Sequence, residues 1–159
     1  MSIYKTFFLY SYQKGSKIIF GWCFMKITTK GRYAIAIMLD LASNYKNDTF
    51  LSLKDISEKL DISNKYLEKI MIDLNKKDYF ISSRGQEGGY KLKYSPEKYC
   101  LGEILNTVEK EIVPASCVKE ENSCPKQGIC KTYPIWKDLN DEMNKYLNNK
   151  TLADYVENR

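Results

Sequence analysis

No histidine occurs anywhere in the chain. The side chain that ordinarily changes charge near neutral pH is therefore missing. With it goes the usual general base, and no nucleophile–base pairing is visible, so an enzyme is the least favoured class. C-x-x-C pairs are absent too, which argues against the common structural zinc modules. No apolar run approaches the roughly 20 residues of a membrane span. The aromatic-rich opening, residues 1–24, has no small-residue cleavage site after its apolar stretch and so does not read as a signal peptide. It has neither helical nor strand period and ends at a second methionine. The expectation is that translation starts at Met25, with a flexible N-terminal arm as the rival.

What remains is an ordinary soluble composition, 43% hydrophobic and 28% charged, in a length that suits one domain with an appended helical arm. The net charge of +5, from 25 basic and 20 acidic residues, is too modest to name a partner by itself. Five cysteines are an odd number without the spacing of a stapled secreted scaffold. They point to a reducing cytoplasm, where clustered thiols bind metal or sense redox state.

From Met25 the pattern becomes regular. Ala34, Ile37, Met38 and Leu41 repeat at helical spacing, with Thr28 or Thr29 as the cap. In "LSLKDISEKLDIS", Ser52 and Asp55 form a variant capping box that starts a helix at Leu53 and carries it to about Leu60. A three-residue turn follows, and Ser63 caps a second helix with Leu67, Ile70, Met71 and Leu74 on its buried face. Two short capped helices joined this way make a helix-turn-helix. "DYFISS" reads as a strand, "RGQEGG" as a reversal, and "YKLKY" as an alternating strand with Tyr90, Leu92 and Tyr94 on one face. The fold class expected is mainly α with a small β-hairpin wing, a winged helix over residues 25–96. Residues 97–159 add a helix at Leu101–Val108, a cysteine loop, and a long helix from Pro134 to about Asn149. Cys100, beside the first of these, is expected to be a buried small hydrophobe. The apolar stripe Ile135, Leu139, Met143 and Tyr146 is long for a helix beyond a finished domain, and a second subunit would cover it. Thr151 is placed to cap a last helical turn.

Several side chains are left outside the core. On the second helix these are Asn64, Lys65, Tyr66, Glu68, Lys69 and Asp73, with Ser63 at its cap. The first turn of such a helix enters the major groove of DNA, where amide, hydroxyl and lysine groups reach base edges and phosphates. Glu68 repels phosphate yet can accept a bond from the cytosine amino group. Arg84, beside Gly85 at the hairpin tip, suits a narrow minor groove. Lys26, Lys30 and Arg32 suit phosphate contacts, which position without specifying.

Cys117, Cys124 and Cys130 are separated by six and five residues, on a loop containing Pro125 and Gly128. Thiolate is the soft ligand preferred by iron–sulfur clusters and zinc, so three within one loop can wrap a metal centre. A disulfide switch is the alternative.

"MKITTKGRYAIAIMLDLA", "DISEKLDISNKYLEKIMIDLNKKD", "ISSRGQEGGYKL" and the cysteine loop followed by "WKDLNDEMNKYLNNKTLADYV" resemble the IscR, NsrR and CymR family of bacterial transcription regulators. The resemblance runs from Met25 to about Val156. It implies a winged-helix homodimer on a palindromic DNA operator, with an iron–sulfur cluster on Cys117, Cys124 and Cys130, a two-iron form favoured and a four-iron form the alternative. It also implies that Glu68 helps discriminate DNA sites, and that iron–sulfur assembly machinery is a candidate partner. Both fourth ligands known in the family are replaced: Tyr133 stands in place of a histidine, and Arg32 in place of an aspartate. Glu111, Glu120, Glu121, Tyr133, a partner-subunit group or an exogenous thiol remain open. The expectation is a cytoplasmic, cluster-sensing repressor. A same-fold thiol or nitric oxide switch is the first alternative, and a small iron–sulfur electron carrier the second.

Overall fold

Thr28 opens the first helix, its hydroxyl accepting the Gly31 N–H and supplying one of the bonds that a helix start leaves unmade. Helix α1 (Thr29–Ser43) then buries Ala34, Ile37, Met38 and Leu41. The computed structural model describes residues 27–85, 88–120 and 124–156, so the N-terminal stretch 1–24, Lys26 and Glu121 lie outside the described residues.

Helix α2 (Leu53–Leu60) starts where expected. The Ser52 hydroxyl accepts the Asp55 N–H at 3.1 Å and donates to the Asp55 carboxylate at 2.7 Å. Asp61, in the left-handed region at φ 50°, ends it. Ser63 caps α3 (Asn64–Asn75) by accepting the Tyr66 N–H, and α3 buries Leu67, Ile70, Met71 and Leu74 against α1 and α2. The helix-turn-helix is thus set by two serine caps and two apolar stripes.

Strands β1 (Phe80–Ser83) and β2 (Gly89–Leu92) pair antiparallel, Phe80 opposite Leu92 and Ser83 opposite Gly89. The far edge of β2 is held as well: Leu51 and Tyr90 exchange backbone bonds of 3.0 and 2.9 Å. That contact explains Gly89. Its φ is 156°, and a Cβ there would run into the Leu51 backbone. The wing is therefore pinned to the entry of α2, and the whole is a winged helix. Tyr94 does not share the inward face of β2 as its alternation predicts. The strand ends at Leu92, the chain turns through a 3₁₀ turn at Pro96–Lys98, and Tyr94 is left half exposed.

Tyr99 joins this unit to the rest. Its buried hydroxyl donates to the Tyr79 carbonyl at 2.9 Å and accepts the Tyr94 N–H at 2.8 Å, while its carbonyl accepts the Leu152 N–H at 3.0 Å. Helix α4 (Leu101–Val108) follows, burying Leu101, Ile104, Leu105 and Val108. Beyond the cysteine loop, α5 (Tyr133–Asn148) leads to a return in which Leu101 N–H bonds the Lys150 carbonyl at 2.8 Å and Cys100 bridges Thr151. Cys100 is half-buried at the cap of α4, its thiol donating to the Leu147 carbonyl at 3.3 Å. Asp154 accepts both the N–H and the hydroxyl of Thr151 as the last turn, α6 (Ala153–Val156), begins. Leu152 is fully buried in the same core as α1 and α3.

Helix α5 behaves differently. Not one of its 16 residues is buried in the chain. Ile135 is 60% exposed and Tyr146 55%, with Trp136 and Leu139 close behind. Leu152→Ala should lower unfolding free energy by about 3 kcal/mol, because it empties a closed site where the C-terminal return meets the core. Urea unfolding followed by circular dichroism measures it, and Ile135→Ala in the exposed stripe should cost a dilute single chain far less.

Candidate functional site

Helix α3 presents Asn64, Lys65, Glu68 and Lys69 to solvent, as the spacing of its buried stripe requires. Ser63 spends its hydroxyl on the cap. Tyr66 is half-buried, its ring edge-on to Tyr33 of α1 with centroids 6.0 Å apart. Asp73 departs further from the outward position expected of it. It turns along the flank of α3 and takes the ammonium groups of both Lys30 and Lys76. These two bonds, Lys30's first, hold its carboxyl below the ordinary value of 3.8.

Lys30 is occupied accordingly. Besides Asp73, it donates to the Val108 carbonyl at the end of α4 at 3.2 Å. Arg32 remains exposed, its guanidinium donating to the Thr29 hydroxyl of its own turn. Arg84 and Gly85 stand exposed at the hairpin tip, with Gly85 at φ 116° and its carbonyl accepting the Gly88 N–H. Among the described residues Lys65, Lys69 and Arg84 make no ion pair, whereas Lys59 at the end of α2 and Lys91 and Lys93 on and just after β2 each face an aspartate. The outer face of α3 and the hairpin tip thus keep cations that no carboxylate neutralises among the described residues.

The residue after Val108 carries a contact that sequence reasoning missed. One oxygen of Glu109 accepts the Thr28 N–H at 2.9 Å and the Thr28 hydroxyl at 2.8 Å. A Cβ on Gly31 would collide with that carboxylate. Glu109 therefore caps α1 from 81 residues away. Its only sequence signal is an acid just past an apolar helix, which is too common to select.

Glu109 also begins the segment that leads to the cysteines. Cys117 lies in a 3₁₀ turn (Ser116–Val118) that packs on α5, and Cys130 follows a second (Gln127–Ile129). All three loop cysteines are free and half-buried. The Thr132 hydroxyl, 3.3 Å from the Cys130 sulfur, holds that thiol below its ordinary value. Tyr133 is the first residue of α5, with its N–H on the Cys130 carbonyl. Glu111 pairs with Lys119 at 2.9 Å and Glu120 is exposed. Three soft donors suit an iron–sulfur centre, but among the described residues no cysteine, aspartate or glutamate side chains gather into a metal-holding group. The thiol chemistry fits such a centre, while the arrangement of the loop does not yet make one.

A family model described as an iron-dependent transcriptional regulator, Rrf2, matches residues 27–158. The chain belongs to the Rrf2 family. The Rrf2 protein of Nitratidesulfovibrio vulgaris is 36% identical over 132 residues, 83% of this chain and 87% of that one. The transcriptional regulator IscR of Escherichia coli is likewise 36% identical, over 85% of this chain and 82% of its own. In structure, CymR, the global cysteine regulator of B. subtilis, superposes with a TM-score of 0.69 at 30% identity, covering 84% of this chain and 98% of CymR. Members of the Rrf2 family among these relatives are transcription regulators rather than enzymes, and membership of that regulator family implies DNA binding.

The Lys30–Asp73 contact gives a pH signature. Because Asp73 is more acidic folded than unfolded, its contribution is complete above about pH 4 and is lost as the pH falls through its depressed folded value. Thermal melts should show wild type losing stability over that acid range more steeply than Asp73→Asn, with the variant already lower at neutral pH.

Proposed function

We propose that this Rrf2-family regulator is a cytoplasmic, homodimeric repressor whose hold on a palindromic operator is set by an iron–sulfur cluster on Cys117, Cys124 and Cys130. One observation carries the proposal. A single chain places three free thiols between α4, which caps the DNA-binding unit through Glu109, and α5, whose apolar stripe lies open for a second copy. When bound, the cluster supplies reversible reaction with oxidants, oxygen or nitric oxide at iron held by soft ligands. A two-iron form is favoured, and its assembly would draw on iron–sulfur machinery.

The chain's own residues do the rest. Covering Ile135, Leu139 and Tyr146 with the same face of a second copy relates two recognition helices by a two-fold axis, so the operator half-sites repeat with that symmetry. Ser63, Asn64, Lys65, Glu68 and Lys69 sit at the entry and outer face of α3, with Tyr66 half-buried beside them against Tyr33. Arg84 and Gly85 serve the neighbouring minor groove, and Lys26 and Arg32 the backbone. Lys30 acts one step back, holding Asp73 of α3 and the end of α4 together. Movement in the cysteine segment therefore pulls on Glu109 and Val108, and through Thr28 and Lys30 on the two helices that face DNA. A second reading, a thiol switch without a cluster, draws on the same three free thiols.

Protein purified without oxygen should be brown, with iron and sulfide in matched amounts, and Cys117→Ala should bleach it. A colourless wild type that takes up no cluster on reconstitution leaves the thiol switch in its place. Glu68→Ala should broaden the sequences recovered from a random duplex pool, and an unchanged consensus would remove Glu68 from site discrimination. Affinity should fall steeply with salt for both proteins, as released counterions require.

A further inference from the structure

The outward line of α3 is Lys65, Lys69 and Ile72, spaced four and three, continued by Lys76 just past the helix end, all exposed. Lys65 and Lys69 are cations suited to a phosphate-facing helix, while Lys76 is held by Asp73. Ile72 is 67% exposed and the most exposed large apolar side chain among described residues 27–96. A β-branched residue adds little to helix propensity, and at this position it adds nothing to the core. Ile72 also walls a shallow depression between α3 and the wing, shared with Leu53, Glu68, Met71, Asn75 and Tyr90. Glu68 stands one turn before it on the same side.

In the major groove only one base-edge group is apolar, the 5-methyl of thymine. We propose that Ile72 is a specificity-determining residue that packs on a thymine methyl in each half-site, held there by Lys65 and Lys69. The four residues from Glu68 to Ile72 rise about 6 Å, or about two base-pair steps, so this thymine lies within about two pairs of the base that Glu68 meets. The inference rests on the DNA-binding role of α3 and adds to it a base that sequence reasoning did not assign.

Uracil in place of thymine removes the methyl alone and leaves every hydrogen bond of the pair. A duplex recovered from a random pool by the wild-type protein is therefore remade with uracil at each thymine in turn, and Kd is measured for wild type and Ile72→Ala. Circular dichroism checks that the variant is folded. One thymine per half-site should weaken wild type about fourfold per half-site when changed, the weight of one methyl group. Ile72→Ala should bind the thymine duplex more weakly and be indifferent to that change. A wild type insensitive to every uracil, or a variant as sensitive as wild type at the same position, overturns the inference while leaving DNA binding intact. A folded wild type that recovers no duplex sequence overturns the DNA-binding reading, and this inference with it.

Discussion

The Glu109 carboxylate, placed on Thr28, is the contact through which the two halves of this chain constrain each other. It caps α1 in a way that no local residue does, and it requires a glycine at position 31. Next to it, Lys30 reaches both α3 and the last carbonyl of α4. A helix start has several N–H groups without partners, and the acid also meets the positive end of the α1 dipole. Hydrogen bonds to a charged acceptor are worth more than neutral ones, and these are partly shielded from water. The link therefore ties the start of α1 to the end of α4.

Much of the fold was legible because its signals are local. Ser52, Asp55 and Ser63 announce their helices within three residues, and the buried stripes of α1, α3 and α4 fall where periodicity puts them. The thiol loop and the open face of α5 were legible for the same reason. Contacts between residues distant in sequence were not. Asp73 looks like an outward residue until α1 is laid beside it, and Lys30 looks like a free cation until α3 is. Tyr66 counts as a surface residue on the helical wheel, yet Tyr33 covers its ring. Tyr94 fails for another reason, since alternation cannot tell where a strand stops.

Charge follows a similar division. Aspartates at 40, 48 and 78 take Lys59, Lys91 and Lys93, and such partly exposed pairs contribute little to stability. Their effect lies in the field around the molecule, where these three cations are muted while Lys65, Lys69 and Arg84 keep their charge unpaired among the described residues.

The unburied α5 has a consequence for dosage. Where two copies must meet before an operator is filled, occupancy at low abundance climbs with the square of the chain's concentration. Doubling synthesis then raises the assembled form about fourfold in that range, and dilution at cell division lowers it as sharply. Under the proposed pairing through α5, the length of helix left bare in one chain would make abundance itself an input to gene control, alongside the proposed sensing at the cysteines.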